Sequence, residues 1–300
     1  MENFQNKTAV ITGAGSGMGR YLSVLLAKAG CNVAICDIDE DSLVKTSEMI
    51  SQYNVASSQH VVDIGNKEKI DEFYENVMAH HESVDLVFNN AGITVVSDFE
   101  NLEEKDWDRV IDINFHGVIN ISRKFLPHLR SRPEGALINT SSIFGMVAVP
   151  NQSVYHAAKF AVRGFTESLA KEMKDTNLQV HSVHPGHIGT NILAKAKRIR
   201  SGNDQVASGL VSLNSEMTDK EEGEIFRDNG MHPSRAAKII LEGVIRKNSR
   251  ILVGLDAKVM DLTQRLFPNH YQKLWPLVLV PVFAFRRNLR KPLPGIAQES

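Results

Sequence analysis

Apolar positions in the first 190 residues follow two alternating patterns. Short β-branched runs occur at 8–12, 31–37, 59–63, 84–88, 135–140 and 179–183, and another at 250–255. Each of the first six is followed by a longer amphipathic or apolar-striped stretch. A parallel sheet requires that alternation, because its crossovers are long and helices cover both faces. The pattern predicts an α/β protein with a doubly wound parallel sheet of about seven strands. One domain runs through about residue 255, with a C-terminal extension at 256–300. Residues 191–232 break the rhythm after a strand end and read as a lid.

Composition narrows this little. The 300 residues are 42% hydrophobic and 23% charged, which excludes a disordered or collagen-like chain. The net charge is −1, so no global basic field exists to attract nucleic acid. Two cysteines exclude a disulfide scaffold. Cys31 and Cys36 lie an odd number of residues apart on one expected strand, so they point to opposite faces. The N-terminus has no apolar signal-like region, and the cytoplasm is the expected compartment.

Chemistry enters at Thr12-Gly13-Ala14-Gly15-Ser16-Gly17-Met18-Gly19, between the first strand and the first helix. A glycine turn at a helix N-terminus presents backbone N–H groups and a helix dipole to an anion. Gly13, Ser16, Gly17, Met18 and Gly19 are therefore candidates for holding a pyrophosphate. Asp37 ends the second strand, 18 residues after Gly19, where an acid can bind the adenosine ribose diol. A carboxylate there repels a 2′-phosphate. No Lys or Arg is adjacent, since Ile38 and Asp39 follow. NAD is expected in preference to NADP.

Further motifs appear in a fixed order: Asp63 in Val61-Val62-Asp63-Ile64, then Asn89-Asn90-Ala91-Gly92, then Asn114 in Ile113-Asn114-Phe115-His116-Gly117. Ser141-Ser142-Ile143-Phe144-Gly145, Tyr155-His156-Ala157-Ala158-Lys159 and Pro185-Gly186-His187-Ile188-Gly189-Thr190 complete the set. Thirteen residues separate Ser142 from Tyr155. Over residues 6–255 the chain resembles a classical short-chain dehydrogenase/reductase. The resemblance implies a Rossmann-like sheet and nicotinamide-dependent oxidoreduction at CH–OH groups, without naming a substrate. It implies that Asp63 and Ile64 contact adenine, that Asn90 and Ala91 line the adenosine ribose, and that Ile188 and Thr190 hold the carboxamide side of nicotinamide. Helices at about 102–130 and 152–174 commonly pair between subunits in that family. A homodimer or homotetramer is expected.

Alcohol oxidation removes a hydride from carbon and a proton from oxygen. Tyr155 and Lys159 are i and i+4 on one helix and share a face. Tyr155 is expected as acid/base. Lys159 is expected to lower its pKa and to bind the nicotinamide ribose. Ser142 can donate to the substrate oxygen. Asn114 is expected, by resemblance, to hold a relay water, with a helix-kink or capping amide as the other reading. The pocket is drawn from Ile93, Thr94, Val95 and Val96, from Phe144, Met146, Val147 and Val149, and from the lid. The lid offers Leu193 and some of Val206, Leu210, Leu213, Met217 and Phe226. Ser142, Phe144, Val149 and Tyr155 are the expected substrate contacts. The first two sets hold no Lys or Arg, which favours a hydrophobic secondary alcohol or ketone of steroid, retinoid, lipid or aromatic-alcohol type. The basic cluster from Lys195 to Arg200 keeps a CoA-linked or polar carbonyl substrate as an alternative.

Three features remain. His181, His184 and His187 repeat every three residues but straddle a turn, so no metal is expected. Trp275 to Phe285 is an apolar run of 11 residues, too short for a span of about 20, and interrupted by Pro276 and Pro281. It is read as docking on the protein's own surface or a sister subunit, with membrane contact through 275–291 as the other reading. A dinucleotide-binding regulatory or scaffold protein is the alternative function. The Tyr155–Lys159 pair argues against it.

Overall fold

The computed structural model describes residues 2–199, 218–284 and 289–296. Its strands are β1 Thr8–Thr12, β2 Asn32–Asp37, β3 Ser57–Val61, β4 Leu86–Asn89, β5 Val95–Val96, β6 Gly135–Thr140, β7 Leu178–Pro185, β8 Lys197–Arg198 and β9 Arg250–Val253. The α-helices are α1 Gly17–Lys28, α2 Glu40–Ile50, α3 Lys67–His80, α4 Glu104–Ile111, α5 Gly117–Ser131, α6 Ser153–Glu172, α7 Asp219–Asn229, α8 Pro233–Ile245, α9 Leu255–Leu266 and α10 Tyr271–Ala284. Seven strands form one parallel sheet in the order β3-β2-β1-β4-β6-β7-β9. β5 and β8 form a separate parallel pair.

Alternate residues of the strands feed two cores. Ala9, Ile11, Val33, Ile35, Leu86 and Phe88 join Tyr21, Leu22, Ile240 and Val244 on one face. Val10, Ala34, Val87 and Leu137 join Phe73, Ile121, Phe125 and Leu169 on the other. Cys31 and Cys36 are both buried free thiols, one in each core, as their odd separation requires.

The chain passes outward from β1 through β2 to β3, then returns to β4 beside β1. The carboxyl ends of β1 and β4 therefore diverge at a topological switch point, where open α/β sheets form their crevice. The glycine loop after β1 and Asn90-Ala91-Gly92 after β4 meet there.

The expected third strand ends two residues early, at Val61, so Asp63 sits in the following loop. The C-terminal run is a greater departure. Pro276 and Pro281 were expected to disrupt a helix, yet α10 continues through both. Its first turns are pinned by packing: Trp275 is buried against Ile143, Met146, Val147, Val149, Ala257 and Met260. Ala148 N–H donates to the Tyr271 hydroxyl at 3.2 Å, and Gln272 Nε2 donates to Ala148 O at 2.8 Å. These contacts offset the intrahelical bond that Pro276 removes. Among the described residues, no helix is long and apolar enough to cross a membrane. The lid positions Arg200, Val206, Leu210, Leu213 and Met217, and Phe285, Arg286 and Arg287 of the tail, lie outside the described residues.

Candidate active site

A cleft of about 250 Å³ opens at the switch point. Gly13, Ser16, Gly17 and Met18 line one side, and Asp37, Asp63, Ile64, Asn90 and Ala91 line the rest. Gly13 has φ +66°, and a Cβ there would come within 2.7 Å of Ala91 Cα. The loop therefore needs glycine twice over, for its left-handed turn and for its close approach to β4. Gly19 was expected in the cradle but does not line the cleft. It packs beneath the loop, against the Gly13 carbonyl and Asn90 Nδ2.

Backbone donors fix both flanking acids. Asp37 Oδ2 accepts Gly15 N–H at 2.8 Å and Oδ1 accepts Asp39 N–H at 3.1 Å. Asp63 Oδ1 accepts Gly65 N–H at 2.9 Å, and Arg109 Nη1 lies 2.9 Å from Asp63 Oδ2. Arg109 also lines the cleft, a contribution invisible in sequence because α4 follows β4. The absence of a sequence-adjacent cation near Asp37 does not hold in space. Lys195 reaches the rim from beyond β7 and pairs with Asp39 at 3.1 Å. Asn90 Oδ1 is buried and has no hydrogen-bond partner among the described residues. Glycines where a Cβ would collide, fixed acids and an orphaned buried acceptor together fit a dinucleotide.

A second cavity of about 140 Å³ adjoins the first, sharing Met18, Asn90, Gly92, Thr94 and Thr190. Ser142, Phe144, Tyr155, Lys159, Ile188, Leu193 and Phe226 line it. Ser142 starts a short 3₁₀ turn, its Oγ accepting Phe144 N–H at 3.1 Å. Tyr155 and Lys159 both face the cavity from α6, with Lys159 Nζ 5.7 Å from the Tyr155 ring centroid. Lys159 Nζ donates to Thr140 O at 2.9 Å.

The electrostatics differ from expectation. Burial pushes the Tyr155 phenol up to about 12, opposed only by a hydrogen bond from Ser142. Burial pushes Lys159 down to about 8. Without a bound cofactor the phenol is therefore raised rather than lowered, burial being the larger cause and the Ser142 hydrogen bond the smaller, opposing one.

Asn114 sits in a π-helical turn, Asp112–His116, between α4 and α5. Its Oδ1 accepts Ile93 N–H at 2.9 Å and its Nδ2 donates to Ile93 O at 2.8 Å. It lines neither cavity, but a Cβ placed on Gly92 would touch both Asn114 Oδ1 and Lys159 Nζ, so the Asn114 amide and the Lys159 ammonium flank one glycine. The side chain thus clamps the loop after β4.

Five expected pocket residues are placed elsewhere. Val149 packs with Val147 and Trp275, and its N–H donates to His156 Nε2 at 3.1 Å. Met146 and Val147 join the same cluster, and Val95 and Val96 pair with Lys197 and Arg198 in the small sheet. Conversely, Gln152, His187, Asp256 and Met260 line the cavity. Asp256 and Met260 come from α9, so the C-terminal extension forms part of the pocket wall. The three histidines of β7 and its turn do not converge. His181 Nδ1 bonds Asn248 O, His184 bonds Ser182 and Ser142 O, and His187 Nε2 bonds Phe226 O.

A parallel sheet with a switch-point glycine cradle and a Ser-Tyr-Lys cavity beside it defines a dinucleotide-dependent oxidoreductase. The family model described as short chain dehydrogenase matches residues 7–200, and the chain belongs to that family. It is 39% identical over 278 residues to the Mycobacterium tuberculosis protein SadH, named an oxidoreductase, covering 91% of this chain and 95% of that one. It is 35% identical over 193 residues to cyclohexanol dehydrogenase of an Acinetobacter species, covering 64% and 77%. A short-chain dehydrogenase/reductase from Burkholderia phymatum, solved in complex with NAD, shares the fold at TM-score 0.75 and 24% identity, over 98% and 99% of the two chains. The protein is a nicotinamide-dinucleotide-dependent oxidoreductase.

Proposed function

We propose that the protein interconverts a hydrophobic secondary alcohol and its ketone, with NAD as the preferred dinucleotide. The observation that carries this reading is the shared lining of the two cavities: Tyr155, Ser142 and Lys159 face a mostly apolar chamber that opens onto the cradle. When bound, the dinucleotide supplies the hydride acceptor. Tyr155 takes the hydroxyl proton, Ser142 donates to the substrate oxygen as charge develops there, and Lys159 holds the ribose side. Because burial alone holds Tyr155 near 12, lowering it is left to charge brought in with the cofactor acting together with Lys159. Gly13, Ser16, Gly17 and Met18 would hold the pyrophosphate, Asp37 the adenosine diol, Asp63 and Ile64 the adenine, Asn90 and Ala91 the adenosine ribose, and Ile188 and Thr190 the carboxamide. Asn114 would steady the loop next to Lys159 and share its proton path.

Apolar specificity is supported by Phe144, Ile188, Leu193, Phe226 and Met260 around the chamber. Three cations of the basic cluster that kept a CoA-linked substrate open are paired: Lys195 with Asp39, Lys197 with Asp106, and Arg198 with Glu222. The name of the Acinetobacter relative fits an apolar secondary alcohol. Assembly as a homo-oligomer through α5 and α6 is supported by Phe160, exposed on α6. Turnover of apolar secondary alcohols by purified wild type, with Tyr155→Phe as control, tests the reading. The sensor alternative predicts NAD binding without turnover.

A further inference from the structure

The α9–α10 pair presents an apolar face that the rest of the described chain leaves uncovered. On α9, Leu255, Leu262 and Leu266 recur at i, i+7 and i+11 and lie on one side of the helix. Leu262 is 55% exposed, Leu266 62% and Leu277, on α10, 74%; Leu255 and Phe267 are exposed too. The opposite side of α9 is committed inward, with Asp256 and Met260 lining the substrate cavity and Ala257 in the core cluster around Trp275.

The exposed charges flanking this face are cationic. Between Asp261 and Glu299 the sequence carries six Lys or Arg and no Asp or Glu, in a chain whose net charge is −1. Lys258, Arg265 and Lys273 are exposed beside the stripe. Of the two nearby acids of α9, Asp256 is buried and Asp261 is largely covered, pairing with Arg250 and with Arg265, so Lys258 and Lys273 carry the exposed positive charge beside the stripe. Leucines flanked by exposed cations on a helix, followed by an uncharged run from Trp275 to Phe285 that is too short to span a bilayer, match a segment lying in a membrane interface.

We infer that α9 and α10 dock this enzyme onto an anionic lipid surface, with the helices in the plane of the interface. A second copy of the chain is the competing occupant. A two-fold contact here would place the same cationic segment against itself, and like charges would oppose it. An anionic lipid surface satisfies both the leucine stripe and the flanking cations. The wall that α9 gives the substrate cavity would then lie directly behind the docked face. The inference does not depend on the alcohol reading, since it concerns the outer side of α9.

The test is co-sedimentation of the full chain with vesicles of phosphatidylcholine alone and of phosphatidylcholine mixed with phosphatidylglycerol. Wild type should pellet with the mixed vesicles and stay largely in the supernatant with the neutral ones. A Leu262→Asp/Leu266→Asp variant should lose about tenfold in vesicle affinity, with its NADH binding unchanged. A Lys258→Gln/Lys273→Gln variant, which alters only exposed side chains, should lose the preference for anionic lipid. Wild type remaining in the supernatant with both vesicle types would overturn the inference. So would vesicle binding that survives both variants, or a Leu262→Asp/Leu266→Asp variant whose sole change is a smaller assembly by light scattering.

Discussion

Asp256 Oδ2 accepts the main-chain N–H of His187 at 2.6 Å. The bond joins the first turn of α9 to the turn after β7, which carries Ile188 and Thr190 toward the cofactor cleft. Gly186 admits the carboxylate only because it has no side chain: a Cβ there would collide with Asp256. Asp256 is buried, and its negative charge sits at a helix N-terminus, where the dipole favours it.

Replacing Asp256 with Ala should therefore disturb the nicotinamide end of the site and spare the adenosine end. The expected outcome is a fall in kcat/KM of about tenfold, the loss of a hydrogen bond to a buried group. Binding of ADP-ribose, which on the proposed reading would use the cleft near Asp37, should be unchanged by calorimetry. Asp256→Asn keeps an acceptor oxygen and should recover most of the activity. Equal losses in ADP-ribose affinity would count against this assignment.

Asp37 is held by Gly15 N–H and faces the cleft. An Asp37→Ala variant should lose about tenfold in kcat/KM with NAD and gain with NADP. Lys195 is already at that rim, paired with Asp39, and can turn toward a 2′-phosphate once the carboxylate is gone. Steady-state kinetics with both dinucleotides reads the ratio, and an unchanged ratio would remove Asp37 as the discriminator.

Stability should depend on pH through Lys159 and Tyr155. Lys159 titrates near 8 in the folded protein against an ordinary 10.5. Below about pH 8 it is charged in both states, and its burial cost is carried in full. Between about 8 and 10.5 the folded state releases the proton first, so the unfolded chain binds more protons and stability rises with pH. Tyr155 acts in the opposite direction, since its folded value near 12 exceeds the ordinary 10 and stability falls as pH rises between them. From 8 to 10 the lysine acts without the tyrosine, and the buried thiols Cys31 and Cys36, raised by burial, cancel in a difference between two variants that both carry them. Denaturant midpoints of wild type minus those of Lys159→Met should climb across it; a flat difference would contradict the burial argument.

Trp275 joins the tail to the 143–149 loop. Trp275→Ala should destabilise the protein by about 3 kcal/mol, the usual cost of emptying a buried aromatic site. Limited proteolysis should then cut first within 268–296, which gives a readout separate from global unfolding.

The sheet was readable because burial on both faces forces unbroken β-branched runs, and all seven of its strands fall within two residues of the runs. The cradle and Asp37 were readable because they are adjacent in sequence to a strand end. Asn114, Ser142, Tyr155 and Lys159 were found by motif, but what they touch was not: Asn114 clamps Ile93, and burial sets the ionisation of the tyrosine and lysine. Arg109, Gln152, Asp256 and Met260 left no local signal. They reach the site through chain topology from α4, the start of α6 and α9. Val149 misled for the same reason, since its apolar character fits either the pocket or the cluster around Trp275. The prolines of α10 argued against a helix that the structure nevertheless forms, because tertiary packing of Tyr271 and Trp275 holds its first turns.

The most direct test of the central claim is NADH formation by purified wild type and Tyr155→Phe over a panel of apolar secondary alcohols, with NADP in parallel. The account predicts NADH from wild type, at least a hundredfold less from Tyr155→Phe at the scale of general acid–base catalysis, and equal NADH binding by both. Wild type that binds the dinucleotide but turns over no member of the panel, or a Tyr155→Phe variant as active as wild type, would contradict it.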